Sequence, residues 1–330
     1  MHVLAGDIGG TKTLLQIAEC RAGRCRAIRE QRFDSGAYDN LPSILHQFLR
    51  DEKKKTIKAA CFGIAGPIQE TTKGQSVKVT NLPWEIRTRD IKRQFKFPKL
   101  CLINDFQAIG YGIEAMRKKD LVVLQKGERV KHGPRAVIGA GTGLGQGILV
   151  WNRDHYVPVA TEGGHANFAP TNELQLDLTR NLLRTAGRTS WELLLSGHGL
   201  VELYVFLKAR GDAPESPSVA MAMQAGDPAT AITQAALEHG DRLANQVLDL
   251  FVDLYGAQAG NLALTAGARG GVYVAGGIAP KIISRLTDGR FMHAFLNKGR
   301  MAPLLAAVPV QVVMDSNVGL TGAAIVASRL

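Results

Sequence analysis

Short apolar runs alternate with amphipathic stretches along the first third of the chain, an arrangement that is typical of α/β proteins. Several of these runs are continuously apolar, which indicates strands buried on both faces of a sheet. The pattern predicts strands at residues 3–6, 14–18, 26–33, 59–65 and 100–103. Apolar residues at helical spacing or charged stretches predict helices at 41–49, near 88–95 and from residue 106 onward.

A similar order of elements begins again after residue 120. Strands are predicted at 121–124, 136–139, 146–151, 271–275 and 308–313. Helices are predicted over much of 173–265 and at 319–328, and 212–217 is predicted to be an exposed loop. In both halves a strand, a glycine-rich turn and a returning strand come first, which indicates an internal duplication. We therefore predict an α/β fold with a duplicated βββαβα core.

Composition narrows the class of protein. The 330 residues are 45% hydrophobic and 21% charged, which is ordinary for a globular protein. No apolar run approaches the roughly 18 residues that span a bilayer, so no membrane association is expected. All four cysteines lie before residue 102 without a C-x-x-C pair, and we expect them to be reduced thiols in a cytoplasmic protein.

The net charge of +11 raises the question of a nucleic-acid partner. The basic residues are dispersed, however, and the densest runs, 53–55 and 117–119, are only three residues long. No aromatic-rich basic platform accompanies them. We expect no nucleic-acid binding, and we interpret the charge as a solvated surface that attracts an anionic small substrate.

Two glycine turns occupy matching positions in the two halves. The first contains Gly9, Gly10, Thr11 and Lys12, and the second contains Gly141, Thr142 and Gly143. Without side chains, glycines let backbone N–H groups surround phosphate oxygens, and threonine adds a hydroxyl donor. Either turn alone could be an ordinary hairpin turn, but both together favour phosphate binding.

Asp7 lies beside the first turn and is a candidate to hold Mg²⁺ through water, the arrangement that magnesium prefers. Lys12 could contact a phosphate or be a solvated side chain. Two other phosphate motifs do not fit: Lys12 follows threonine rather than the glycine of a P-loop, and Leu144 occupies the third glycine position of a dinucleotide fingerprint. A P-loop ATPase and a Rossmann dehydrogenase are therefore disfavoured.

Asn104 and Asp105 follow the apolar run 100–103 directly. Ligands of open α/β sheets bind just beyond the carboxyl ends of such strands, which makes both residues candidates for chemistry. The structural alternative is that Asp105 simply caps the helix beginning at Phe106.

Glu162 and His165 are three residues apart around two glycines, on a segment predicted to be non-helical. A carboxylate and an imidazole offer the acceptor and donor that a polyhydroxylated ligand needs, although both could merely be solvated. Zinc at His165 is not expected, because no cysteine lies nearby in the sequence. Glu192 is predicted to open a helix, where its charge alone would be favourable.

Taken together, five segments resemble the bacterial-type glucokinase family: 7–11, 103–105, 139–145, 162–165 and 275–278. The resemblance extends from about residue 3 to residue 326 in the same order and spacing. It implies the two-domain actin-like ATPase (ribonuclease H-like) fold of the hexokinase superfamily, with an interdomain cleft. Residues 1–115 with 310–330 would form the small domain, and residues 116–309 the large one.

The resemblance also implies roles for individual residues. Asp105 matches the catalytic base of the family, and the positions that bind glucose hydroxyls match Asn104, Asp105, Glu162, His165 and Glu192. The two glycine turns would hold the phosphates of ATP, with Gly276 and Gly277 against the adenosine. A homodimer is expected from the family alone. The cysteine-rich zinc motif of the related repressor/ORF/kinase group is absent, so no zinc is expected.

The resulting hypothesis is Mg²⁺-dependent transfer of phosphate from ATP to the 6-hydroxyl of D-glucose. Two alternatives remain within enzymes, namely a kinase of another hexose and a kinase that uses polyphosphate as donor. A third alternative, from another class, is a sugar sensor without catalysis. Asp105 and Asp7 argue against a sensor, which would need neither a base nor a metal-holding acid.

Overall fold

The computed structural model describes residues 1–21, 23–50 and 57–330. The lysine run 53–55, in which the first helix was predicted to end, lies outside the described residues. Among those described, no helix combines the length and the hydropathy that crossing a membrane requires.

The elements before residue 118 follow the predicted order closely. The strands are β1 (His2–Ile8), β2 (Lys12–Arg21), β3 (Arg24–Asp34), β4 (Ile57–Ile64), β5 (Gln69–Thr71), β6 (Gly74–Lys78), β7 (Glu85–Arg87) and β8 (Leu100–Asn104). The helices are α1 (Leu41–Leu49), α2 (Thr88–Phe95) and α3 (Asp105–Ile113). The three short strands β5, β6 and β7 form a small antiparallel sheet, for which the sequence pattern predicted no strands.

Most of the helices among the described residues follow residue 118. The strands are β9 (Leu121–Gln125), β10 (Arg135–Ala140), β11 (Leu144–Asn152), β12 (His155–Thr161), β13 (Gly271–Ala275) and β14 (Val310–Val313). The helices are α4 (Glu173–Ala186), α5 (Gly197–Arg210), α6 (Pro217–Ala225), α7 (Pro228–Glu238), α8 (Arg242–Ala266), α9 (Ile283–Leu286), α10 (Arg290–Leu296), α11 (Ala302–Ala306) and α12 (Val318–Arg329).

The chain divides into two compact units. Unit 1 comprises Met1–Lys118, Asn152–Ala160 and Asp315–Leu330, and unit 2 comprises Lys119–Trp151 and Thr161–Met314. The predicted domains assigned 310–314 to the first unit and 152–160 to the second. The boundaries of functional domains stay a prediction.

The sheet of unit 1 has the order β3–β2–β1–β4–β8, with β1, β4 and β8 parallel and the first three strands antiparallel. Residues of α1 such as Ile44 and Phe48 pack on one face, and residues of α12 such as Leu320 and Ala324 pack on the other. Because both faces are covered, the central strands are continuously apolar, as the sequence pattern indicated.

The sheet of unit 2 repeats this plan. Strand β10 pairs antiparallel with β11 and parallel with β13, and β13 pairs parallel with β14. The order β11–β10–β13–β14 therefore matches β2–β1–β4–β8 of unit 1, which confirms the predicted duplication. Helix α8 supplies much of the core beside this sheet, since Val247, Phe251 and Tyr255 are fully buried.

Helices α3 and α12 of unit 1 are in close contact through two glycines. A Cβ atom on Gly322 would lie 1.8 Å from the carbonyl oxygen of Ala108, and one on Gly112 would lie 1.9 Å from that of Val318. The backbones can approach this closely only because neither position has a side chain. This contact fixes the helix that begins with Asp105.

Two predictions are wrong, one about the redox state of the cysteines and one about the start of the last strand. Cys20 and Cys25 form a disulfide between paired positions of β2 and β3, whereas all four cysteines were predicted to be reduced; Cys61 and Cys101 are free. The last strand begins at Val310 rather than at residue 308. The predicted loop 212–217 does connect α5 with α6, but Ala213 within it is buried.

Candidate active site

The junction between β8 and α3 places Asn104 and Asp105 at the carboxyl end of a parallel strand. The side-chain Oδ1 of Asn104 accepts a hydrogen bond from the Phe106 backbone N–H (2.8 Å), and the backbone N–H of Asn104 donates to Gln107 Oε1 (3.1 Å). This is a reciprocal capping box, so Asn104 is the N-cap. The interpretation of Asp105 as the N-cap is wrong, because Asp105 is the first residue of the helix.

Asp105 is half-buried, and its Oδ1 also accepts from the Phe106 N–H at 2.9 Å. A carboxylate in the first turn of a helix interacts favourably with the helix dipole. The hydrogen bond with the Phe106 backbone therefore helps to hold the Asp105 carboxylate at the strand–helix junction.

The first glycine turn (residues 9–12) connects β1 to β2. The Gly9 N–H donates to the carbonyl of Lys12 at 2.9 Å, and the buried hydroxyl of Ser35 donates to the carbonyl of Gly9 at 2.9 Å. Gly10 lies against another backbone segment, since a Cβ there would be 3.0 Å from the carbonyl oxygen of Thr80. Thr11 and Lys12 are exposed, so their polar groups are accessible to a ligand.

Asp7 lies on β1, two residues before this turn. Burial raises the pKa of its carboxyl group, and the charge of Lys12 partly lowers it again. A carboxylate that has lost hydration gains from a nearby cation. A poorly solvated carboxylate, Asp7, therefore precedes the first glycine turn, and an exposed lysine, Lys12, ends it.

The second glycine turn (residues 141–143) connects β10 to β11 and lies at the start of α5. The Gly141 N–H donates to the Gly143 carbonyl, and the Gly197 N–H donates to the Gly141 carbonyl, both at 2.8 Å. Gly197 is the first residue of α5, which Ser196 caps through the Gly199 N–H at 3.0 Å. Exposed Thr142 therefore lies close to a helix N-terminus, where anions are favoured.

Glu192 connects this second turn to the Glu162–His165 segment. Its Oε2 accepts from the Leu144 N–H at 3.0 Å, and its Oε1 lies 3.6 Å from His165 Nδ1. His165 Nε2 is in turn 3.9 Å from Glu162 Oε2. These three side chains define the Glu162–His165–Glu192 cluster, in which Glu162 is 77% exposed and can meet a ligand.

Two predictions about this cluster change. Glu192 lies in a turn before α5 and does not open a helix, so the helix-terminus explanation for it is wrong. Gly163–His165 form a single 3₁₀ turn, whereas this segment was predicted to be non-helical. That turn lies flat on β11, because a Cβ on Gly164 would be 2.1 Å from the Leu144 carbonyl oxygen and one on Gly163 would be 2.6 Å from Gln146 Oε1.

Gly276 and Gly277 follow β13, next to the end of β10. Gly276 has φ +84°, and a Cβ there would lie 2.4 Å from the carbonyl oxygen of Ala140. The Ile278 N–H donates to that same oxygen at 3.2 Å. The Gly276–Gly277 turn and the second glycine turn thus extend from the carboxyl ends of two adjacent parallel strands, where ligands of such sheets bind.

Among residues 1–21, 23–50 and 57–330, no group of three or more His, Cys, Asp or Glu side chains is arranged to hold a metal ion.

Comparison with known proteins identifies the family. The family model described as Glucokinase matches residues 4–330. The glucokinase of Nostoc sp. is 45% identical over 343 residues, covering 99% of each chain, and that of Synechocystis sp. is 40% identical over 353 residues, covering 100% of this chain and 98% of the relative. The chain belongs to the glucokinase family.

Solved structures agree with this family assignment. A glucokinase from an Antarctic psychrotroph superposes with a TM-score of 0.84 at 30% identity, covering 100% of this chain and 99% of that one. A glucokinase of the repressor/ORF/kinase group from Streptomyces griseus has a TM-score of 0.67 at 20% identity and covers 100% of each chain, which concerns the fold alone. The predicted resemblance to glucokinases and the actin-like ATPase fold are confirmed.

Each of the two units contains part of the set of site residues predicted from the sequence. Unit 1 contains Asp7, the first glycine turn, Asn104 and Asp105, and unit 2 contains the second glycine turn, the Glu162–His165–Glu192 cluster and the Gly276–Gly277 turn. Two further residues were not predicted from the sequence: Ser35, which holds the first turn, and Tyr255, whose hydroxyl accepts from the Ala140 N–H. Neither stands in a recognisable motif, because each acts through contacts with distant residues.

Proposed function

We propose that this protein is a glucokinase that transfers the γ-phosphoryl group of ATP to the 6-hydroxyl of D-glucose. The observation that most supports it is the Glu162–His165–Glu192 cluster, with separations of 3.9 and 3.6 Å, in a chain of the glucokinase family. Glucokinases of the same fold have been solved with glucose, from Balamuthia mandrillaris, and with glucose and AMPPNP, from Streptomyces griseus.

In this proposal the sugar hydroxyls bind to Asn104, Asp105, Glu162, His165 and Glu192. The carboxylates accept hydrogen bonds from hydroxyls, and His165 can donate or accept. Asn104 uses its Oδ1 for the helix cap, so its Nδ2 is the group that would donate to the sugar.

The nucleotide is proposed to bind through the two glycine turns and the Gly276–Gly277 turn. Backbone N–H groups, Thr11, Thr142 and the N-terminus of α5 would bind phosphate oxygens, and Lys12 would add a positive charge. The exposed Gly277, where a Cβ would meet no atom within 4 Å, leaves room for the adenosine.

Asp7 fits Mg²⁺ because magnesium uses one or two carboxylates and completes its octahedron with water and substrate phosphates. When bound with the nucleotide, Mg²⁺ would neutralise charge on the phosphates. The raised pKa of Asp7 agrees with a carboxylate that needs such a cation.

Asp105 is proposed as the general base that accepts the proton of the 6-hydroxyl. The transition state of phosphoryl transfer is loose, so positioning and electrostatics should supply most of the remaining rate acceleration. Exclusion of water around the bound sugar would limit hydrolysis of ATP.

A coupled assay tests the proposal and its alternatives. ADP release and hexose phosphate formation are measured with several hexoses, first with ATP and then with polyphosphate, a donor that the net charge of +11 would suit. We expect ADP release with glucose and ATP. Hexose phosphate formed from polyphosphate without ADP would show that polyphosphate, not ATP, is the donor. A preference for another hexose would show that glucose is not the substrate. If no sugar led to ADP release, a non-catalytic sugar sensor would be the remaining alternative.

Replacing Gly143 with alanine should weaken glucose binding by about tenfold, a loss expected for a disturbed hydrogen bond to a charged group. The added Cβ would lie 2.5 Å from Glu192 Oε2, so Glu192 would have to move. The dissociation constant is measured through the fluorescence of Trp191, the neighbour of Glu192. Gly141→Ala is the matched control, because its Cβ would meet no atom within 4 Å. Equal effects of both changes on glucose binding would refute the role of Glu192.

Assembly and location are further proposals that rest on the family resemblance. We expect a homodimer, so light scattering should give twice the 35.5 kDa of the chain, and a monomeric mass would contradict this.

We also propose a cytoplasmic location. A disulfide between Cys20 and Cys25 fits this location less well than free thiols would. Fractionation of the source cells tests it directly.

A further inference from the structure

Tyr255 on α8 places a hydroxyl group between the ends of two strands of unit 2. Its oxygen accepts a hydrogen bond from the Ala140 N–H at 3.0 Å. It lies 3.3 Å from the carbonyl oxygen of Ala275 and 3.5 Å from that of Ile138 and can donate its single proton to either. The side chain is fully buried. One hydroxyl therefore connects the last residue of β10 with the last residue of β13.

The peptide groups around Ala140 support both turns that extend from these strands. The Ala140 N–H is bound by Tyr255, and its carbonyl oxygen accepts from the Ile278 N–H at 3.2 Å. Gly141 follows Ala140 directly, and Gly276 lies so close that a Cβ would meet the Ala140 oxygen at 2.4 Å. A shift of Ala140 would therefore move the second glycine turn and the Gly276–Gly277 turn together.

We propose that Tyr255 is a positioning residue for the nucleotide, because its hydroxyl holds the Ala140 peptide from which both proposed nucleotide-binding turns extend. The inference rests on the proposed function and adds a residue to it. Tyr255 acts through the backbone and does not touch the nucleotide itself.

The surroundings of Tyr255 suit this role. Its ring makes edge-to-face contacts with Phe251 and Phe291, at centroid distances of 5.8 and 5.7 Å, which hold the ring in place. Burial raises the pKa of the hydroxyl, so it remains a proton donor at any physiological pH. Removing only the oxygen, as in Tyr255→Phe, would leave the packing intact and the buried Ala140 N–H without its partner.

Tyr255→Phe should raise the KM for ATP about tenfold, equivalent to about 1.4 kcal/mol, and leave the KM for glucose nearly unchanged. The Glu162–His165–Glu192 cluster does not bond to this hydroxyl. It meets the second glycine turn on the β11 side, where Glu192 accepts from the Leu144 N–H, so the KM for glucose should change far less than the KM for ATP. Calorimetric titration with AMPPNP and with glucose measures the same split without turnover. Glucose is kept present during purification, since a ligand of the folded state stabilises it.

Tyr204→Phe is the matched control. Tyr204 is also fully buried in the same core, but it lies in the middle of α5, and its hydroxyl donates to Glu215 at 3.3 Å, beyond the C-terminal end of that helix. The second glycine turn lies at the N-terminal end of α5. We expect this variant to lose stability without a change in the KM for ATP.

Outcomes that differ from these expectations refute either the positioning role of Tyr255 or the proposed function. Four outcomes would overturn the positioning role of Tyr255. In Tyr255→Phe these are an unchanged nucleotide affinity, a parallel rise of both KM values, or a chain that does not fold. The fourth is a rise in the KM for ATP alone in Tyr204→Phe. A wild-type protein that releases no ADP with any sugar would overturn the proposed function instead, and AMPPNP titration would then test Tyr255 alone.

Discussion

Replacing Asp105 with asparagine should lower turnover by roughly 10²–10⁴-fold, the range that a general base contributes. Asparagine keeps the size of the side chain and can still accept from the Phe106 N–H, but it cannot take the proton of the 6-hydroxyl. The Asn104 cap is untouched, so α3 should remain folded. Turnover is measured by the coupled assay, and glucose affinity by Trp191 fluorescence, which we expect to change much less.

Asp90→Asn is the matched control for this experiment. Asp90 is also a carboxylate in the first turn of a helix of unit 1, but it is exposed and pairs only with Arg93 at 3.5 Å among the described residues. Its loss should leave turnover unchanged. If Asp105→Asn turned over at a near-normal rate, the base would have to be sought elsewhere.

Replacing Gly322 with alanine should lower the free energy of unfolding by about 3 kcal/mol or more, at the upper end of the effects of overpacking. The new Cβ would lie 1.8 Å from the Ala108 carbonyl oxygen and 2.7 Å from the Gly112 nitrogen. These are backbone atoms, so α3 and α12 would have to separate along their contact. Thermal and denaturant unfolding measure the loss.

The same helix provides a control in Gly319. A Cβ there would meet only Ile109 Cγ1, at an ordinary 3.6 Å. Because alanine favours a helix by up to about 1 kcal/mol over glycine, Gly319→Ala should be neutral or stabilising. Comparable destabilisation by both substitutions would show that the close approach of α3 and α12 is not what makes Gly322 necessary.

The sequence predicts those parts of the fold that depend on local periodicity. Continuous apolar runs located β1, β4, β8 and β13, because a strand covered on both faces needs no polar residues. Asn104 was not predicted as the cap, since Asn104 and Asp105 are both good capping residues and only the hydrogen bonds distinguish them. Glu192 was predicted to open a helix, but residues 192–194 form a turn that precedes α5.

The candidate site could be predicted where ligand chemistry imposes a local pattern. Phosphate binding by backbone N–H groups favours closely spaced glycines, so both turns could be recognised as candidates in the sequence. Ser35 and Tyr255 were not, because their partners, Gly9 and Ala140, are 26 and 115 residues away. The disulfide between Cys20 and Cys25 follows from the pairing of β2 with β3, which the cysteine spacing alone does not reveal.

The position of α12 in the chain has a consequence for synthesis on the ribosome. This last helix covers a face of the unit 1 sheet that contains Val3, Ala5 and Ala59, near the other end of the chain. At roughly 5–20 residues per second, that apolar face waits on the order of 15–60 s for its cover. Unit 2, apart from its link through residues 152–160, is complete at Met314, before α12 is made. The unit 1 sheet is therefore synthesised first but covered last, and its apolar face stays exposed while unit 2 is being made.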